Sequence, residues 1–436
     1  MEAFLIKALQ LILCLSILVI VHECGHFLFA KVFKVRVEKF YLFFNPWFSL
    51  FKFKPKNSET EYGLGWLPFG GYVKISGMID ESMDKEALKQ PAQPWEFRTK
   101  PAWQRLLIMV GGVLMNFLLA FFIYSMIVLA WGDNYVPIQQ TPLYFSEVAR
   151  NAGFEDGDKI VAADGKALTR YDDLDLFRVI DAKTVTVVRN EQELTLSLPE
   201  DFKTQFMASK MPLADIAPAA IDSVLSGSRA EQAGLMAGDT ILEAAGVKTG
   251  AFGILSSVLA KHKDKAIGLN IVREGDTLQI LAHVDENGKL GIVGKPRSLV
   301  TVSDQYSLFK SFPAGIKLGV RKLSFYVLQL KLMFSKAGVQ NIGGFGAIGS
   351  LFPDSWDWGS FWSLTALFSI MLGVMNLLPI PALDGGHVLF LLYEIVTGRQ
   401  PSEKFLEYAQ YTGMILLIAL LIYANGMDVI RAFFSK

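Results

Sequence analysis

Cysteine is nearly absent. Cys14 and Cys24 are the only two in 436 residues, and both fall in the first apolar run. A disulfide framework and a cysteine-rich zinc site are thereby excluded, and the thiols read as small hydrophobes packed in a helix. Net charge is absent as well. The 42 basic residues balance 42 acidic ones, so the totals carry no electrostatic footprint for nucleic acid, and no such partner is expected. Charge of either sign is scarce, 19% against 52% hydrophobic residues, the balance of a membrane protein with sizeable polar domains. The N-terminus lacks the basic flank and small-residue cleavage site of a secretory signal.

What is present in abundance is long, charge-poor runs. A spanning helix needs about 20 mostly apolar residues. Four runs qualify, at 4–33, 106–132, 358–383 and 408–427. The loop after the first run carries Lys31, Lys34, Arg36, Lys39, Lys52, Lys54 and Lys56, and Arg98, Lys100 and Arg105 precede the second. This basic excess puts the loop in the cytoplasm and the long 133–357 loop outside, with both termini. Arg431 and Lys436 pull weakly the other way.

The long loop contains a duplication. ARNAGFEDGDKIVAADG starts at Ala149 and RAEQAGLMAGDTILEAAG at Arg229, with Ala152 matching Ala233 and Asp158 matching Asp239 at an offset of 81. A repeat this long is a duplicated domain and not a solenoid unit. The shared pattern resembles PDZ domains of the bacterial protease-associated kind. Its glycines suit a helix end and a tight turn. Ala245 stands where the first copy has Asp164, so the two copies need not act alike.

The segment 304–336 mixes apolar residues with Lys317, Arg321, Lys322 and Lys331 at near-helical spacing. A helix lying on the membrane surface fits this pattern, and a packed amphipathic helix fits it equally. The predicted organisation is a membrane helix at 1–35, a loop region at 36–103 and a second helix at 104–132. Two PDZ-like domains follow at 133–215 and 216–300, then the amphipathic segment at 301–355. A third helix with a broken end occupies 356–396, and a fourth occupies 404–433.

Histidine is rare, five in all, yet two lie in the first apolar run as His22-Glu23-Cys24-Gly25-His26. On a helix His22 and His26 are one turn apart on one face, so both imidazoles reach one metal ion. Glu23 is then placed beside the metal, where a general base belongs. Ionisable groups at membrane depth are costly and usually functional. A catalytic zinc site wants a third protein ligand. His262 and His283 lie in the long loop, so the candidates are Asp384 and His387, within NLLPIPALDGGHVLF at 376–390. Pro379 and Pro381 break that helix, and Gly385 and Gly386 permit a tight backbone. Broken backbone is tolerated at membrane depth only against protein or a water-filled cavity. Spacing alone does not choose between Asp384 and His387.

HExxH in the first membrane helix, NxxPxxxxDGG in the third and external PDZ-like domains together resemble the site-2 protease family. The tandem pair narrows the resemblance to its bacterial RseP-type branch, over nearly the whole chain. The implied fold is a multi-spanning α-helical membrane protein with four transmembrane helices, two external PDZ-like α+β domains and a membrane-associated β-loop. The resemblance implies His22, His26 and Asp384 as ligands of a Zn2+ cofactor and Glu23 as the catalytic residue, with His387 as a neighbour. It implies that Asn376 holds substrate backbone. GWLPFGGYVKISG at 65–77 resembles the family's β-loop, whose edge would pair with an unwound substrate through Gly70, Gly71 and Tyr72. GGVLMNF at 111–117 resembles a family G-P-x-x-N-F element, with Asn116 retained and Val113 in place of proline. The implied activity is regulated intramembrane proteolysis in the bacterial inner membrane. A single-spanning substrate such as an anti-sigma factor, already trimmed outside, is cut within the lipid bilayer. Leftover signal peptides form a second substrate class. The PDZ pair would either gate by size or capture new C-termini.

Overall fold

The computed structural model describes residues 2–78, 91–209, 211–295, 301–333 and 343–434. Parts of the regions expected at 36–103, 133–215, 216–300 and 301–355 therefore lie outside the described residues. The chain forms two compact units, Met1–Gly132 with Gln305–Lys436, and Asp133–Asp304.

The first unit begins with α1 (Glu2–Val32), a sheet of β1 (Val37–Phe44), β2 (Phe51–Phe53), β3 (Glu61–Leu64) and β4 (Leu67–Ile75), and then α2 (Ala102–Trp131). It resumes with α3 (Leu308–Met333), α4 (Phe345–Ser350), α5 (Trp358–Leu377), α6 (Asp384–Thr397) and α7 (Glu403–Phe434). Among the described residues four helices are long and apolar enough to cross a membrane: α1, α2, α5 and Lys404–Ile430 of α7. The third apolar run extends to 383, but α5 stops at Leu377. Pro379 and Pro381 lack the N–H a helix needs, and Ala382 takes the left-handed φ of 75° before α6 starts afresh at Asp384.

Glycine lets α1 and α2 cross backbone to backbone. A Cβ on Gly25 would collide with the carbonyl of Gly111, and one on Gly111 would lie 2.7 Å from the carbonyl oxygen of Gly25. Small residues at such crossings are how membrane helices gain packing without a hydrophobic drive.

Helix α3 lies along α2. Gly315 abuts the Ser125 backbone and Gly319 packs on Phe121 and Tyr124, so the two helices run antiparallel. Tyr326 and Leu330 join Ala120, Ile123, Ala366 and Ile370 in one buried cluster. Of the two readings of this segment, a surface-lying helix and a packed one, the packing is that of the second. Lys317 and Lys322 stay exposed; the side chain of Lys331 lies outside the described positions.

The sheet of the first unit has the order β2-β3-β1-β4. β4 pairs antiparallel with β1, with Tyr41 opposite Tyr72, and leaves its other edge turned toward α1, where a Cβ on Gly71 would lie 2.8 Å from Val19 Cγ1. The loop and strand at the far side expose Trp47, Phe48, Phe51 and Phe53.

The second unit holds two modules of like topology. Strands Gln192–Ser197, Thr184–Arg189, Lys159–Ala163 and Lys166–Ala167 form one sheet in that order, and Asp276–His283, Ala266–Arg273, Thr240–Ala244 and Val247–Lys248 form the other. Each module carries a nine-residue helix in the same place, Asp173–Asp181 and Phe252–Ala260, and each has its own buried core. The repeated aspartates have a structural task. Asp158 is buried and receives the Arg189 guanidinium at 2.8 Å through both oxygens; Asp239 receives Arg273 at 2.7 Å in the same way. Strands Asp133–Tyr135 and Val302–Asp304 pair where the chain enters and leaves the unit.

Candidate metal centre

His22 and His26 project from one face of α1 and are buried, 8% and 7% exposed. Their Nε2 atoms lie 3.2 Å apart. The break between α5 and α6 delivers Asp384 as the first residue of α6, with Oδ2 3.1 Å from His22 Nε2 and 3.3 Å from His26 Nε2. Gly385 makes this re-entry possible, since a Cβ there would strike the Leu378 carbonyl. These three atoms form a triangle with sides of 3.1–3.3 Å. Tetrahedral bonds of ~2.0–2.1 Å to nitrogen and oxygen put neighbouring ligand atoms about 3.3–3.4 Å apart, so the triangle has the size of one face of a zinc coordination sphere. Asp384 Oδ2 is buried and, among the described residues, lacks a hydrogen-bond partner of proper geometry. Convergence of lone pairs without hydrogens between them is what a cation resolves, and the donor set fits zinc.

α2 supports the cluster from behind. The Ile108 carbonyl lies 2.8 Å from His26 Nδ1, and since a carbonyl only accepts, it fixes the proton on Nδ1 and frees Nε2. Asn116 faces His22 Nδ1 at 3.1 Å. Gly112 lies against both rings: a Cβ there would collide with His26 Nε2 and lie 2.6 Å from His22 Cε1.

Glu23, His22, His26 and Asp384 line a cavity of about 630 Å³, together with Gly70, Gly71 and Tyr72 of β4 and Asn376 of α5. The expected site residues are thus gathered in one place. Glu23 and Val73 of β4 line the same cavity wall. Asn376 Nδ2 is 3.5 Å from His22 Nε2, at the outer limit of a hydrogen bond. Of the two candidates for third ligand, Asp384 joins the triangle, while His387 lines the cavity wall without entering the cluster. Three neighbours escaped sequence reasoning as site residues. Gly112 and Asn116 are two; Gln410, whose Oε1 accepts from the Ala382 N–H, is the third. For Asn116 the signal was present: a lone amide inside a charge-free membrane run.

A three-ligand cluster with a carboxylate beside it, set against helices apolar enough to span a bilayer, defines a membrane metallopeptidase. The model of peptidase family M50 matches residues 10–420, and the chain belongs to that family, the site-2 proteases. It is a zinc metalloendopeptidase of that type. The chain is 29% identical to the Haemophilus influenzae "Regulator of sigma E protease", over 98% of its own length and 100% of that protein. It is 27% identical to "Regulator of sigma-E protease RseP" of Escherichia coli, over 97% and 98%. A "Putative zinc metalloprotease" of Vibrio cholerae is 28% identical, over 96% and 97%.

Proposed function

We propose that this protein cleaves single-spanning membrane proteins inside the bacterial cytoplasmic membrane, after a first cut outside has shortened them. The observation that carries the reading is the ligand triangle with Glu23 beside it, in a cavity floored by the edge of β4. His22, His26 and Asp384 hold the zinc. When bound, zinc supplies Lewis acidity, polarising a carbonyl and making water nucleophilic at neutral pH. Glu23 takes the proton from the attacking water and returns it to the leaving amine.

A helical substrate has no free backbone groups, so the scissile segment must first be extended. The edge of β4 offers Gly70, Gly71 and Tyr72 to such a segment by strand addition, and Asn376 holds its backbone beside the ligands. The exposed aromatics around Trp47 set the β-loop against the bilayer. We read the two modules of Asp133–Asp304 as PDZ domains, and the basic first loop supports a periplasmic side for them. They would either admit trimmed stubs and exclude bulky ones or capture new C-termini. The sigma E regulation named for the relatives supports an anti-sigma factor as the physiological substrate, with remnant signal peptides as a second class.

The test is Glu23→Gln in the full chain, reconstituted with a membrane-span reporter. Zinc content should stay near one per chain while cleavage falls by about 10²–10⁴-fold. Unchanged cleavage would sink the reading.

A further inference from the structure

We propose that Asn116 is a positioning residue for the metal centre: its amide fixes the His22 imidazole in the tautomer that leaves Nε2 free for zinc. The inference rests on His22, His26 and Asp384 being the zinc ligands.

The two histidines need the same tautomer, because both Nε2 atoms enter the ligand triangle. A neutral imidazole that gives the Nε2 lone pair to a metal carries its proton on Nδ1, and that proton requires an acceptor. For His26 the acceptor is the backbone carbonyl of Ile108 at 2.8 Å. No backbone carbonyl serves His22 in this way among the described contacts. The atom group that faces its Nδ1 is the side-chain amide of Asn116, at 3.1 Å.

Asn116 is held for this task. It is fully buried, its own carbonyl accepts from Ser369 Oγ at 2.7 Å, and it lies one turn beyond Gly112, the residue against which both rings rest. Among the described residues its Oδ1 has no hydrogen-bond partner. A half-turn of the amide about Cβ–Cγ exchanges Nδ2 for Oδ1 and sets that unpartnered oxygen on the Nδ1 proton. A buried donor–acceptor pair results, and charge on the metal strengthens it by making Nδ1–H more acidic. An asparagine kept only for helix packing would bond across to another helix's backbone through its amide; this amide instead meets a metal-ligating ring.

The experiment measures zinc affinity of the detergent-solubilised full chain by chelator competition, with no activity readout required. Asn116→Leu keeps the branched shape and removes the acceptor; affinity should fall about 10–100-fold. Asn116→Asp supplies a carboxylate acceptor at the same place and should restore affinity to wild type or above. A merely structural role would treat Leu and Asp alike. If Leu prevents folding, Asn116→Ala carries the same expectation. Wild-type affinity in the Leu or Ala variant, or an Asp variant as weak as Leu, overturns the proposal. A wild-type chain that binds no zinc overturns the ligand reading itself, and the two failures are thereby told apart.

Discussion

His22 Nε2 and Asp384 Oδ2 lie 3.1 Å apart, although one sits in the interior of the first helix and the other opens a helix near the end of the chain. Neither local sequence nor helix geometry brings them together. The α1–α2 glycine crossing and the proline break before α6 do so jointly. The energetic oddity of two imidazoles and a carboxylate among apolar helices is resolved at this point, since each removes the others' need for water once a cation joins them.

Removing Asp384 tests that relationship directly. In Asp384→Ala the triangle loses a vertex, and two imidazoles alone make a weak zinc site. Zinc content after dialysis, read by atomic emission, should drop well below one per chain. His387→Ala should leave it near the wild-type level, because that ring stays outside the cluster. Equal loss in both variants contradicts the assignment of the third ligand.

Gly112 makes a second test, of space and not of chemistry. A methyl group there meets both imidazole rings, and moving α2 away to make room would open the close Gly25–Gly111 backbone crossing. Gly112→Ala should therefore abolish zinc binding and cleavage while leaving helix content by circular dichroism unchanged. Gly426→Ala is the control: among the described residues nothing lies within 4 Å of its added Cβ, so it should keep full activity and gain about 0.5–1 kcal/mol of helix stability. Retained zinc in the Gly112 variant would show that the rings have room the packing denies them.

Much of this site could be read from residue order, and the rest could not for identifiable reasons. The spacing of His22 and His26 is a fact of helix periodicity, so their shared face was legible. The choice of Asp384 over His387 was not, because it depends on where α6 starts after the break. The run to 383 carries no charge, and although Pro379 and Pro381 announced a break, they did not say at which residue the next helix begins. In α3 the charges drew attention to a membrane surface, whereas Gly315 and Gly319, at helical spacing, mark the face that packs on α2. The repeat displayed Asp158 and Asp239 but hid their partners. Those aspartates are offset by 81 residues and the arginines by 84 (273 against 189), so a change in loop length between them broke the register. Asn116 stood out as the lone amide of a charge-free run, but its contact with His22, like that of Gly112 with both rings, is tertiary, and no local pattern encodes it.

The buried pair in the second repeat yields a pH dependence whose sign can be worked out. Burial alone would raise the Asp239 carboxyl, but the Arg273 guanidinium and the Met236 N–H that donate to it outweigh burial and hold it below the usual carboxylate range. Its folded value therefore lies under the unfolded value of about 3.9. The stabilisation is complete above that unfolded value and is lost as pH falls through the folded one. Asp239→Asn leaves the partly exposed Arg273 without its charge partner and should lower stability near neutrality. Thermal unfolding of both proteins in micelles, from pH 7 down to about 3, should give a Tm gap that is widest at neutral pH and narrows below about 4. A gap that stays constant across the range would mean that Asp239 stabilises by shape and hydrogen bonding, with no contribution from its charge.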